Sequence, residues 1–95
     1  MTARSRARAE AVAVLGREAV ESALKDRERA IAAFLNHPED VRAAAVRIRA
    51  CLPEDLEGAR AYAASLSQAV LLALAAAWAG DTGREALERM GMTEA

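Results

Sequence analysis

The stretch AYAASLSQAVLLALAAAWAG at residues 61–80 has no charged side chain, although 28% of the residues in the whole chain are charged. Twenty apolar residues would be long enough to cross a bilayer. Nine of these twenty residues are alanine, which gains little from lipid, and Ser65, Ser67 and Gln68 would each carry a polar cost. We therefore predict that this stretch is the buried core of a small helical domain, with a membrane-spanning helix as the alternative.

Within this stretch, every position from Ala69 to Ala79 is apolar, so that part of the helix has no polar face. A bundle of about four helices does not easily enclose one helix on every side. Leu71 and Leu72 are therefore expected to need a second surface, which another copy of the chain would supply. Alanine-rich helices also bury little area per residue. We predict a homo-oligomer, most simply a homodimer, with Leu71, Leu72 and Trp78 in its interface.

Two similar segments precede the apolar stretch and partly overlap it, PEDVRAAAVRIRACL at 38–52 and PEDLEGARAYAASLS at 53–67. Each starts with a proline and two acids, which is typical of a first helical turn: proline has no N–H to leave unpaired, and the acids favour the positive end of the helix dipole. The pattern predicts a short helix over 38–51 and a longer one from Pro53. Leu52 would then be a poor N-cap, so one helix kinked at Pro53 is the alternative.

Residues 3–35 contain one residue that disfavours a helix, Gly16, and predict a long first helix bent near that glycine. The apolar residues of this helix fall on one side, and Arg27 lies within that side. Its charged group either snorkels to the edge of the helix or marks where the carboxylate of a partner arrives. Arg27 and Ile31 are therefore further candidates for an interface.

The end of the chain predicts one more short helix, because Gly80 suits a helix C-terminus and Thr82-Gly83-Arg84-Glu85 fits a capping box. The predicted fold class is all-α, a small bundle of about four helices: a long first helix, a short second, a long apolar third and a short C-terminal helix at 83–90. Residues 9–95 are predicted to form this single domain, and residues 1–8 a basic, partly disordered arm.

The chemistry-bearing residues are few, and the net charge is −1, so neither sign of charge dominates the field of the protein. One histidine, His37, and one cysteine, Cys51, cannot supply a four-ligand metal site. The glycines lack the spacing of a phosphate-binding loop. We therefore predict no catalytic residues, no metal and no cofactor.

These observations favour a non-catalytic helical protein–protein interaction or assembly module that self-associates, with a second protein as a further partner. The alternative is a small regulator, antitoxin-like or transcription-linked, that contacts nucleic acid through Arg4, Arg6 and Arg8, which all precede the first acid, Glu10. The alanine and arginine usage suggests a bacterial genome rich in GC. The single cysteine and the lack of a secretory signal predict the cytoplasm.

Overall fold

The described part of the chain is all-helical. The computed structural model of the protein describes residues 3–79, and these form six α-helices. The helices are α1 Ala3–Leu15, α2 Arg17–Lys25, α3 Arg27–Asn36, α4 Pro38–Cys51, α5 Leu56–Ala64 and α6 Gln68–Ala79. The predicted all-α class is confirmed, but residues 3–79 already contain six helices where about four were predicted for the whole chain. The predicted helix at 83–90 lies outside the described residues.

The predicted long first helix is in fact three helices, because the chain leaves helical geometry at Gly16 and Asp26. Gly16 has φ 95° and ψ 148°, a conformation that is essentially restricted to glycine. The bend predicted near Gly16 is therefore a complete break. Asp26 is the N-cap of α3, and its carboxylate accepts a hydrogen bond of 3.2 Å from the backbone N–H of Arg29.

The two Pro-Glu-Asp segments start their helices in different ways. The helix predicted over 38–51 is confirmed as α4, with Pro38 at its first position. The prediction that the next helix starts at Pro53 is wrong, and so is the alternative prediction of one helix kinked at Pro53. Residues 52–55 connect α4 to α5, and Asp55 is the N-cap of α5 because its carboxylate accepts a 2.9 Å hydrogen bond from the N–H of Gly58.

The predicted long third helix is divided at residues 65–67. The hydroxyl of Ser65 donates a 2.6 Å hydrogen bond to the carbonyl oxygen of Tyr62, at the end of α5. The hydroxyl oxygen of Ser67 accepts a 3.3 Å bond from the N–H of Val70, in the first turn of α6. Serine side chains interrupt helices by competing for backbone groups in this way. Among residues 3–79, no helix is both long enough and apolar enough to span a membrane.

Helix α6 lies at the centre of the fold and packs against α1, α2, α3 and α4. Eight of its twelve residues are buried, and within this helix only Gln68 is classed as exposed. The expectation that the chain could not enclose one helix is therefore wrong, because the breaks at Gly16 and Asp26 let three short helices surround α6. Among the described residues, twelve of the twenty-one buried hydrophobic ones are alanine, and their small side chains allow this close approach.

Candidate interaction surface

The three interface residues predicted on α6 face the interior of the fold to different degrees. Leu72 and Trp78 are each only 5% exposed, and Leu71 is partly buried. Their prediction assumed that one side of the apolar helix stays open, whereas α6 contacts four other helices of the same chain. Leu72 and Trp78 therefore belong to the core and not to the predicted interface, and Leu71 lies at the edge of the core.

Within residues 3–79, the large hydrophobic side chains that remain exposed lie outside α6. Leu35 is 70% exposed, Val46 57%, Ile31 45% and Leu56 40%. Ile31 and Leu35 are four residues apart on α3, so they lie on the same side of that helix, one turn apart. Val46 on α4 and Leu56 on α5 are each the single exposed large hydrophobic residue of their helix. In the described part of the chain, α3 is therefore the helix that presents an apolar pair to solvent.

Arg27 extends this pair into a row along α3. Arg27, Ile31 and Leu35 follow one another at intervals of four residues, and we call them the α3 row; all three are exposed. The neighbouring side of α3 holds the helix to the core, because Ala30 is 1% exposed and Phe34 is partly buried. Arg27 and Ile31 were predicted from the sequence, whereas Leu35 was missed, although its spacing of four residues from Ile31 would have indicated it.

An acidic corner lies at the other end of α3. His37 is both the C-cap of α3 and the N-cap of α4, so α4 starts where α3 stops. The carboxylate of Asp40 lies 3.8 Å from Nδ1 of His37, and the Asp40 side chain is 73% exposed. Glu39 is also exposed in this first turn of α4. The α3 row thus has a cation at its start and two carboxylates just beyond its end.

A shallow groove of about 380 Å³ lies on another side of α3, where α2, α3 and α6 meet. Its lining combines two cations and one carboxylate with a hydroxyl, an amide and one leucine: Ser22, Lys25, Asp26, Arg29, Gln68 and Leu72. All the polar side chains in this set are exposed, so water competes for each of them. The groove therefore offers only weak attraction to a small anion.

The N-terminal arginines occupy the first turns of α1. Arg6 and Arg8 are exposed, and the side chain of Arg4 lies outside the described part of the chain. The first turn of α1 contains no acid, so positive charges stand at the positive end of the helix dipole, where they are unfavourable. Residues 3–8 belong to α1, and the disordered arm predicted at residues 1–8 stays a prediction.

The histidine and the cysteine are too far apart to act together. His37 caps the start of α4 and Cys51 is its last residue, which separates them by about 20 Å along the helix axis. Among the described residues, no group of three or more His, Cys, Asp or Glu side chains is placed to hold a metal ion. His37 and Cys51 therefore cannot act on the same reacting atoms.

Comparisons of the chain with protein-family models, with curated proteins and with solved structures found no match. The function must therefore be inferred from the surface of the chain itself.

Proposed function

We propose that the chain is a non-catalytic helical protein–protein interaction or assembly module that self-associates through the α3 row. The observation that carries this proposal is the exposure of Leu35, 70%, and Ile31, 45%, one turn apart on the same helix. Fully burying a leucine or isoleucine contributes about 1.5–3 kcal/mol, and much of that free energy is unused in the isolated chain. A partner that covers the α3 row would recover it.

Helix α6 forms the core and helix α3 carries the exposed row, and this separation supports the same function. The core is complete without the α3 row, because α6 takes its contacts from α1, α2, α4 and the inner side of α3. Ile31 and Leu35 can therefore contact a partner without unpacking the fold. A second copy is the partner that is always present at equal concentration, and a symmetric contact between identical surfaces is the commonest arrangement of protein oligomers.

The proposal is tested by sedimentation equilibrium or light scattering over a concentration series that extends to about 1 mM. The weight-average mass is expected to rise from one chain to two. Leu35→Ser should weaken the dimer at least about tenfold, because a symmetric contact loses the side chain twice. Val46→Ser is the matched control, since Val46 is similarly exposed, at 57%, but lies on α4. A wild-type chain that stays monomeric throughout, or equal losses in both variants, would refute the proposal.

The second candidate is nucleic-acid binding through the N-terminal arginines, and the exposure of Arg6 and Arg8 favours it. Phosphate contacts of this kind release counterions, so the affinity for duplex DNA should fall steeply as salt increases. Fluorescence anisotropy with labelled duplex would measure this for the full chain and for a variant that lacks residues 1–8. Equal affinity in the two proteins would exclude the arginines as the contact.

A further inference from the structure

We infer that two copies pair α3 against α3 in antiparallel orientation about a two-fold axis, so that Arg27 of each copy meets the acidic corner at Asp40 of the other. This inference rests on the proposed self-association and adds the geometry of the contact. It follows from the order of groups along the α3 row, which runs from a cation through two apolar residues to the corner that carries Glu39 and Asp40.

The apolar residues set the centre of the pairing. When two helices run antiparallel with the midpoint between Ile31 and Leu35 on the axis, Ile31 of each copy packs on Leu35 of the other. Arg27 then lies about 9 Å from the axis on one side, and His37, beside Asp40, lies about 6 Å from it on the other. Each guanidinium therefore comes near the acidic corner of the opposite copy.

Charge complementarity selects the antiparallel orientation over the parallel one. A parallel two-fold pairing would place Arg27 beside Arg27 and Asp40 beside Asp40, and like charges side by side are unfavourable. Arg29 lies apart from these contacts, because it lines the groove beside α6. The antiparallel pairing separates identical charges and also opposes the two helix dipoles.

The size of the contact predicts a weak dimer. Helix α3 has ten residues and is about 15 Å long, so its outer side covers less than the roughly 800 Å² per partner of a standard interface. Contacts below that size are typical of transient complexes. The dissociation constant is therefore expected to lie above about 1 μM. The loss of two exposed ion pairs should change this constant by a measurable factor.

A charge exchange tests the pairing. Arg27→Glu and Asp40→Arg should each weaken the dimer by about three- to thirtyfold at low salt, because each change puts two like-charged pairs into the interface. The variant with both changes should regain an affinity within about threefold of the wild type. Arg17→Glu, on the exposed side of α2, alters the net charge as Arg27→Glu does and is the matched control. Circular dichroism of every variant checks that the helices are retained.

A cross-linking experiment tests the orientation without changing the charges. In a Cys51→Ser background, protein with Ile31→Cys is mixed with protein with Leu35→Cys in a glutathione redox buffer. The antiparallel pairing predicts a mixed disulfide in preference to either symmetric one, because residues 31 and 35 of opposite copies are then closest.

The outcomes separate the inference from the proposed function. Three results would overturn the antiparallel pairing: single charge variants that bind as the wild type does, a double variant without recovery, or preferred symmetric disulfides. If Leu35→Ser still abolished the dimer, the α3 row would nevertheless remain the interface. A wild-type chain that stays monomeric up to about 1 mM would overturn both.

Discussion

Helices α3 and α6 are of similar length and both carry large apolar side chains, yet they occupy opposite places in the fold. Leu74 of α6 is 0% exposed, whereas Leu35 of α3 is 70% exposed. The difference comes from their neighbours, since α6 is surrounded by four helices and α3 covers one side of α6. An apolar stretch in the sequence therefore does not by itself mark an interface. Here the most apolar helix forms the core, and a more polar one offers the exposed surface.

The largest expected effect comes from removing the same side chain at these two places. Leu74→Ala should lower the free energy of unfolding by about 2–5 kcal/mol, because it leaves a cavity in the centre of the core. Leu35→Ala should change it by less than about 0.5 kcal/mol, as is usual for an exposed site. Urea denaturation at a protein concentration well below that of dimer formation measures both values. Similar losses in the two variants would contradict the assignment of α6 to the core and α3 to the surface.

A second prediction concerns the break that allows α1 and α2 to pack separately around α6. Gly16→Ala should lower the free energy of unfolding by about 1–3 kcal/mol, since φ 95° is strained for alanine although no atom obstructs its Cβ. Thermal and urea unfolding would measure the loss.

Gly58→Ala is the contrasting variant, because Gly58 lies within α5. There alanine gains about 1 kcal/mol of helix propensity but displaces the Asp55 carboxylate that caps the helix. The gain in helix propensity and the loss of the cap offset each other, so the net change in the free energy of unfolding should be small. A Gly16→Ala protein as stable as the wild type would show that the break does not need glycine.

A loss smaller than that of Gly16→Ala is expected at the start of α3. Asp26→Ala removes the hydrogen bond to the N–H of Arg29 and should cost about 1 kcal/mol. Asp26→Asn keeps an acceptor at the N-cap and should lose little. Urea denaturation of the two variants, followed by circular dichroism, would reveal the difference. If both lose equally, the charge of Asp26 contributes more than its capping hydrogen bond.

The sequence predicted α4 best, because its signals are local and agree with one another. Pro38 suits the first helical position, and the apolar seam of Val41, Ala44, Ala45 and Ile48 has a helical period; all four residues are 0% exposed. Asp26, Asp55 and Ser67 were missed as helix starts. Each can sit within a helix or cap one, and only the path of the chain decides which hydrogen bond its side chain makes.

The candidate site was predicted in part. Arg27 and Ile31 were identified from their place on the apolar side of the first helix, and both are exposed in the fold. Leu72 and Trp78 were assigned to the interface because the sequence predicted only about four helices. Four helices were expected to be too few to enclose the apolar helix that carries these two residues. Two further breaks, at Asp26 and at residues 65–67, shorten the helices enough to surround α6.

By itself, the sequence determined the all-α class, the helix over 38–51 and the position Gly16 as the place of a bend, because helix propensity, capping and backbone restrictions act over a few neighbouring residues. Only the tertiary structure decided that α6 is enclosed and that Ile31 and Leu35 are left in water. Burial depends on which distant helices reach a given side chain, and that depends on the angle of every turn between them.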